Sequence, residues 1–204
     1  MKFSKVQFVY IDIDYLKAMN EADSEIFYDE NNKEYKFKPH LGMLINQEDR
    51  EYVIPLTSAK EKHKKWADVS GEWYRIYEII DITTTPVRKN DIIVDIKNQD
   101  LLKNIPLETM KNYKQRILSV LDIRKMFPVK KGVYTKIKFE ISSRASIADN
   151  QRMALMLKEY NFICNIKEKI EEKAEKIYVK QQKKNKILKY HCNYKKLEQA
   201  SDEY

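Results

Sequence analysis

Residues 38–60 of the chain read KPHLGMLINQEDREYVIPLTSAK. Two short apolar runs, 41–45 and 52–56, lie on either side of the polar segment 46–49, which begins with Asn and ends with Asp, two residues that favour turns. Apolar runs of this length that flank a turn predict a β-hairpin. We therefore expect a hairpin at the centre of the fold and interpret the rest of the chain around it.

The second run of the hairpin contains a proline that limits how the strand can pair. Pro55 has no backbone N–H to donate to a neighbouring strand, so the strand is expected to end, or to reach a sheet edge, at this residue. Thr57 and Ser58 follow directly. Their hydroxyls are then expected at a strand end, where side chains meet solvent.

Further strand patterns lie on both sides of the hairpin. Residues 2–10 alternate loosely between apolar and polar, and residues 73–82 and 91–96 are rich in Ile, Val, Tyr and Trp. The strictest alternation lies in 133–141, whose expected inner side is formed by Val133, Thr135, Ile137, Phe139 and Ile141. Each of these stretches predicts a strand.

Three stretches have helical spacing. A short helix is expected over 12–20, and a longer one over 106–126, which Pro128 would end. Ser146 and Asp149 form a capping-box pattern ahead of a long helical region. The apolar stripe of that region contains Met153, Met156, Tyr160, Ile163, Ile166, Ile170, Ala174 and Ile177.

The order of these elements predicts the fold class. Strands and helices are mixed without regular β–α alternation, which favours an α+β fold with an antiparallel sheet. Residues 21–36 are acidic and polar and predict a surface loop. No internal repeat or long linker divides the 204 residues, so 1–204 is expected to form one domain.

Composition excludes several classes of protein. The chain has 3 glycines, far below the roughly 7% of an average protein, so it has no Walker A motif and no Gly-rich dinucleotide fingerprint. Cys164 and Cys192 are too few for a disulfide framework or a zinc site. The histidines at 40, 63 and 191 lie far apart. We expect no metal and no cofactor.

The start of the chain has no apolar signal-peptide region, and no segment approaches the roughly 18 apolar residues of a membrane helix, so a cytoplasmic protein is expected. The formal net charge is +8, which predicts a polyanionic partner: nucleic acid first, an anionic membrane second.

The positive charge is concentrated in two segments. Residues 176–197 contain eight lysines, three tyrosines and no acidic residue, a composition that suits phosphate contacts and stacking on unpaired bases. The other reading of such a run is a solvated helix face. The second segment, 60–66, places four lysines, His63 and Trp66 directly after Thr57 and Ser58. It predicts an anion site at the end of the hairpin.

The hairpin also carries a resemblance to a known family. A basic residue four positions before a glycine, a strand, a turn, a strand ending in Pro-Leu-Thr-Ser, and then lysines resemble the signature of the ToxN/AbiQ toxins of type III toxin–antitoxin systems. The segment 158–163 (KEYNFI) is similar to the family's Lys-x-x-x-Phe-Ile helix, and 192–198 (CNYKKLE) to its closing motif. Residues 83–145 match poorly and form a divergent or inserted middle region.

The resemblance implies a fold and an activity. The fold would be a strongly twisted antiparallel sheet with flanking helices, related to the MazF and Kid toxins. The activity would be metal-independent, sequence-preferring cleavage of single-stranded RNA, giving 2′,3′-cyclic phosphate and 5′-hydroxyl ends. The inhibitor would be a repeated RNA pseudoknot bound in a closed multimeric assembly, and the role would be abortive infection of phage or plasmid maintenance.

The resemblance also implies site residues. Lys38 and Lys60 would stabilise the charge that develops on phosphorus, and Thr57 and Ser58 would hydrogen-bond phosphate oxygens; Lys62 could take the place of Lys60. The general base stays open between a lysine with a lowered pKa and a histidine. RNA contacts are expected from His40, Lys62, His63, Lys64, Lys65, Lys180, Lys183, Lys184, Lys186, Lys189 and Tyr190.

Two other classes of function remain as alternatives at this stage. A non-catalytic RNA-binding module needs only the two lysine segments and would bind RNA tightly without cutting it. A polybasic protein of the membrane surface is disfavoured because the lysine-rich segment has no Trp/Phe/Leu face.

Overall fold

The hairpin forms the middle of an antiparallel sheet in the computed structural model of the chain, which describes residues 1–31, 38–46, 49–140, 143, 145–184 and 186–204. Residues 47 and 48 of the predicted turn 46–49 and residues 32–36 of the predicted loop 21–36 therefore lie outside the described residues. Eight strands of the described part share one sheet: β1 Lys2–Ile11, β2 His40–Ile45, β3 Glu51–Ser58, β4 Trp73–Asp81, β5 Ile92–Val94, β6 Tyr113–Asp122, β7 Phe127–Val129 and β8 Tyr134–Lys136.

The described helices surround this sheet. They are α1 Ile13–Ala22, α2 Leu107–Met110, α3 Ile147–Cys164, α4 Lys167–Lys184 and α5 Tyr194–Glu203. α3 packs against β4, β1 and β6, and α4 packs against β1, while α5 packs against β7 and α1. No described helix is long and apolar enough to span a bilayer.

The sheet has the order β4-β6-β3-β2-β1-β8, with β5 pairing β6 and β7 pairing β3. Every pairing among the described strands is antiparallel. Helices and one antiparallel sheet share a single buried core, which confirms the predicted α+β class. The expected relation to MazF and Kid stays a prediction.

The expectation that β3 ends at Pro55 is wrong. Pro55 pairs with His40 of β2, and the strand continues to Ser58. On its other edge β3 pairs with β7 through Val53 and with β6 only from Leu56. Pro55 therefore lies where β3 passes from one neighbour to the other, a position at which no donor is required.

The predicted helix over 106–126 is also wrong. Only α2 is helical there, and residues 113–122 form β6, which pairs with β3, β4 and β5. The apolar residues of this segment fit a helical period, but β6 contacts strands on both edges, so long-range pairing overrides the local pattern. Pro128, expected as a helix terminator, lies in β7.

Other expectations from the pattern hold in part or in full. Residues 2–10 and 12–20 form β1 and α1, and 73–82 and 91–96 contain β4 and β5. The alternation in 133–141 yields a shorter strand than predicted, Tyr134–Lys136, and residue 141 lies outside the described part.

The long helical region begins as predicted, where the Ser146 side chain accepts a hydrogen bond from the Asp149 N–H at 3.0 Å. It is divided into α3 and α4. Met156, Ile163, Ile170 and Ala174 of the predicted stripe are buried. Cys192 is buried, as expected.

Candidate active site

A cavity of about 830 Å³ opens where β3 leaves β2 and joins β6. Its lining includes all four residues predicted to be catalytic: Lys38, Thr57, Ser58 and Lys60. Three of the predicted RNA-binding residues line it as well: His40, Lys62 and His63. Lys64 and Lys65 are exposed and do not line it, and Lys64 pairs with Glu61 at 3.0 Å.

The two hydroxyl residues occupy the last two positions of β3. Thr57 pairs with Val120 of β6 and Ser58 with Ser119. Ser58 is exposed and Thr57 is partly buried. The neighbouring strand holds the backbone of both residues, so their hydroxyls are presented to the cavity from a rigid element.

Lys38 precedes β2 and is partly buried at the cavity wall. Burial, followed by the nearby positive charge of Lys60, lowers the pKa of Lys38 to about 8. Its ammonium group lies 5.2 Å from the centre of the Phe27 ring. A lysine with this pKa exchanges its proton near neutral pH. The effect of Lys60 on Lys38 favours Lys60 over Lys62 as the second lysine of the site.

His40 is buried and holds the backbone of Lys38. Its Nδ1 lies 3.1 Å from the Lys38 carbonyl oxygen, so Nδ1 carries the proton and donates it. Burial and the charge of Lys38 lower the pKa of His40 to about 3. The imidazole is neutral near pH 7, which makes His40 a poor proton shuttle and assigns it a positioning role.

His63 is also buried. The Lys60 N–H donates to His63 Nδ1 at 3.1 Å, so the proton of the neutral ring is on Nε2. Burial, helped by Lys62 and Lys60, lowers the pKa of His63. Arg75 donates from Nη1 to the His63 carbonyl oxygen at 3.2 Å, which anchors the 3₁₀ helix Glu61–Lys65.

An aromatic pair continues the wall beyond His63. Trp66 lines the cavity and lies 4.6 Å from Trp73, centre to centre. The Arg124 guanidinium lies over both rings at 5.8 and 5.2 Å. Asp122 holds that guanidinium with hydrogen bonds of 2.8 and 2.7 Å. Both tryptophans are partly buried.

Ser119 and Glu159 are among the polar residues of the cavity that sequence reasoning missed. Ser119 lies on β6, inside the segment predicted to be helical. Glu159 lies on α3 between the buried residues Met156 and Ile163, and it is 3% exposed. Glu159 could have been identified from the sequence as an acidic residue on the core-facing stripe of a helix, because carboxylates are rarely buried without a function or a partner.

The lysine segment 176–197 lies elsewhere, along a second groove of about 830 Å³ beside α4 and β4. Of the residues predicted to bind RNA, Lys180, Lys184 and Lys186 line this groove, and Lys183 and Lys189 do not. Tyr190 is 53% exposed, with the Lys189 ammonium 4.8 Å from its ring centre.

The expectation that all the tyrosines of this segment can stack on bases is wrong. Tyr194 is fully buried, and Tyr178 donates a hydrogen bond to Glu198 at 2.8 Å and packs 5.7 Å from Tyr194. Both rings belong to the core because they attach α4 to α5. Only Tyr190 of the three is exposed enough to meet a base.

Comparison with known proteins identifies the family of the chain. Residues 7–202 match the family described as toxin ToxN of type III toxin–antitoxin systems. The chain is 25% identical to the Endoribonuclease ToxN of Bacillus thuringiensis subsp. kurstaki, over 97% of this chain and 84% of that protein.

Two solved structures have the same fold. One is AbiQ, a lactococcal anti-phage endoribonuclease of a type III system, with a TM-score of 0.66, 22% identity and 98% of both chains covered. The other comes from work on type III systems in which a non-coding RNA pseudoknot inhibits the toxin, with a TM-score of 0.65, 22% identity and 98% of both chains covered. With the match over 7–202, these findings show that the chain belongs to the ToxN family of type III toxin–antitoxin toxins.

Proposed function

We propose that this protein is an endoribonuclease toxin that cleaves single-stranded RNA without a metal ion and is inhibited by a repeated RNA pseudoknot. The observation that carries the proposal is that Lys38, Thr57, Ser58 and Lys60 line one cavity. The names of the relatives support it, since one is an endoribonuclease and another an anti-phage endoribonuclease.

The proposed reaction uses the RNA as its own nucleophile. The 2′-oxygen loses its proton to the neutral amine of Lys38 and forms a bond to phosphorus, while the bond from phosphorus to the 5′-oxygen breaks. Water supplies a proton to the departing 5′-oxygen. Ser58 and Thr57 donate hydrogen bonds to the non-bridging oxygens, and the Lys60 ammonium stabilises the added negative charge. The products are a 2′,3′-cyclic phosphate and a 5′-hydroxyl.

The proposal assigns the pseudoknot antitoxin to the basic surfaces. One solved relative is described as a toxin inhibited by an RNA pseudoknot, and another as an antiviral system regulated by a processed non-coding RNA. An RNA bound in a closed multimeric assembly needs two contact surfaces on each toxin. The cavity and the groove beside α4 provide two, and both carry lysines.

The biological setting follows from the same relatives. The proposed role is defence against phage in the cytoplasm, where phage and cellular messenger RNA are accessible, and the description of AbiQ supports it. Plasmid maintenance, the other role implied by the resemblance, would use the same activity.

The groove lysines give a prediction on RNA affinity. Replacing Lys180, Lys184 and Lys186 together by glutamine should weaken binding of the pseudoknot RNA and reduce the slope of log K against log salt concentration by roughly 2 to 3, because each lost phosphate contact contributes about 0.7 to 0.9. Filter binding over a range of salt concentrations measures the slope. A matched variant has Lys89, Lys97 and Lys131 changed to glutamine and loses the same charge from exposed positions outside both cavities. It should keep the wild-type slope.

The proposed activity has a direct test. The purified protein is incubated with an end-labelled, A-rich single-stranded RNA in excess EDTA, and the ends of the fragments are analysed. Discrete fragments with 2′,3′-cyclic phosphate and 5′-hydroxyl ends are expected. With a fluorophore as the 5′ label, the upstream fragment should lose its 3′ phosphate to phosphatase, and so migrate more slowly on a denaturing gel, only after acid has opened the cyclic end.

The alternatives predict different results in this test. RNA that shifts on a gel but keeps its length, in this substrate and in a transcriptome-wide map, would favour a non-catalytic RNA-binding module. Cleavage that stops in EDTA and returns with a divalent cation would overturn the metal-independent mechanism.

A further inference from the structure

One buried group of the active-site cavity is the carboxyl of Glu159. It lines the cavity from α3 and is 3% exposed. No charged side chain in the described part of the chain compensates for its burial, and burial raises its pKa to about 7. Burying a carboxyl group without a neighbouring cation lowers the stability of the folded protein. A ligand that hydrogen-bonds to the carboxyl would explain why it is kept there.

The charged groups near Glu159 on the surrounding elements have other partners. Lys158 of α3 and Arg116 of β6 both pair with Glu78 of β4, at 2.7 and 2.6 Å. From β1, the Tyr10 hydroxyl lies 4.0 Å from Met156 Sδ. Arg152, one and a half to two turns earlier on α3, pairs with Asp149 at 3.5 Å. None of these groups neutralises the carboxyl.

Ser119 of β6 is the polar neighbour of Glu159. Its hydroxyl opposes part of the rise in the pKa of Glu159, but Ser119 Oγ is buried without a well-aligned hydrogen bond in the described part of the chain. Ser119 is directly opposite Ser58 in the β3–β6 pair. Directly opposed side chains share one face of a sheet, with Cβ atoms about 5 Å apart. Ser119, and with it the neighbouring Glu159, therefore lies next to the proposed phosphate-binding hydroxyl.

The chemistry of the pair restricts what it can bind. A neutral carboxyl presents one donor and one acceptor side by side. The Watson–Crick edges of adenine and cytosine present a matching pair, a ring nitrogen acceptor beside an amino donor, and those of guanine and uracil present another, a carbonyl oxygen beside a ring N–H. Unsubstituted purine has the ring nitrogen alone, and a carboxylate matches only the two adjacent donors of guanine. A base that enters the cavity removes water and favours the neutral acid further.

We propose that Glu159 and Ser119 form a subsite that binds the Watson–Crick edge of the base beside the cleaved phosphate. The neutral carboxyl donates to a ring nitrogen or carbonyl oxygen of the base and accepts from its amino group or ring N–H, and Ser119 adds a further hydrogen bond. The proposal deepens the proposed function and rests on it, because it names the contact that positions the base at the cut.

The test compares discrimination between bases in three forms of the full chain. RNAs of one sequence carry adenine, cytosine, guanine or unsubstituted purine at the nucleotide on each side of the mapped cut. The wild type is expected to prefer adenine to unsubstituted purine by roughly 10- to 100-fold in kcat/KM at one of these positions, because purine lacks the amino donor. Glu159→Leu should bring this ratio close to one. Glu159→Gln should keep it, because an amide offers the same donor and acceptor.

The dependence on pH separates this role from others. The wild-type ratio should decline as the pH rises above about 7, where the carboxylate replaces the acid, and the Glu159→Gln ratio should not. Glu168→Gln, an exposed α4 change outside both cavities, is the matched control and should behave as the wild type. Unaltered discrimination in Glu159→Leu, or its loss in Glu159→Gln, would overturn the proposal.

A binding assay distinguishes failure of the subsite from failure of the proposed function. The same RNAs with a 2′-deoxynucleotide at the cut, or at a fixed central position if no RNA is cut, lack the nucleophile and report binding alone by fluorescence anisotropy. Discrimination in binding without any cleavage of native RNA would reject the endoribonuclease and keep the subsite. Cleavage of native RNA without discrimination between bases would reject the subsite and keep the endoribonuclease. Because Glu159→Gln conserves shape, it keeps the test valid even if Glu159→Leu fails to fold.

Discussion

Replacing Ser58 by alanine is expected to slow RNA cleavage by about 10²- to 10³-fold, the usual loss when one donor to a developing oxyanion is removed. The Ser58 side chain is exposed at the end of β3, opposite Ser119, and it lines the cavity. Its hydroxyl packs against nothing that the fold needs. The free energy of unfolding should therefore change by no more than about 0.5 kcal/mol.

The measurement is single-turnover cleavage of the labelled RNA, with thermal unfolding as the check on folding. Ser4→Ala is a matched control, because Ser4 is also an exposed strand serine but lies on β1, outside both cavities. Expression of the Ser58→Ala variant should also cease to arrest growth. Wild-type cleavage by a folded Ser58→Ala protein would remove Ser58 from the active site.

Replacing Lys38 by methionine is expected to reduce cleavage by about 10²- to 10⁴-fold, the range for loss of a general base. Methionine retains most of the apolar stem that is buried beside the cavity and removes the amine. With a pKa of about 8, roughly a tenth of Lys38 is neutral at pH 7 and can accept the 2′ proton. A lysine with its ordinary pKa would be almost entirely charged there.

The pH profile determines which form of Lys38 acts. A general base works in its neutral form, so the wild-type rate should rise with pH and level off above about 8. Lys38→Arg keeps the positive charge but cannot lose its proton, and it should be as inactive as Lys38→Met. A rate that falls as the pH rises through 8, together with activity in Lys38→Arg, would show that Lys38 acts as a cation. Lys89→Met, at an exposed position, is the control.

Much of the proposed site was accessible from the sequence because the family resemblance that implies it rests on residues close together in the chain. Lys38 through Lys60 span one hairpin, and a hairpin is governed by local alternation and a turn. Four predicted catalytic residues therefore meet in one cavity. The resemblance identified the family, and the match over 7–202 confirmed it.

The helical expectation for 106–126 failed for a physical reason. The pattern of Leu107, Met110, Ile117, Leu118 and Leu121 suits a helix, but residues 113–122 pair with strands on both edges. The residues that pair with β6 lie 21 to 65 positions away in the chain. Both faces of β6 mix apolar and polar residues, with Gln115, Arg116 and Ser119 among the polar ones, which hides the period of two. Only the tertiary structure reveals that 83–145 supplies the strand beside Ser58.

Local pattern was sufficient for the hairpin, the α+β class, the start of α3 and the lysine-rich segment, because each depends on neighbours in sequence. Three features were decided by packing between distant segments: the pKa of Lys38, the neutral imidazoles of His40 and His63, and the meeting of Ser119 with Glu159. Burial and the approach of other charges set these properties. Neither exists until β3, β6 and α3 come together.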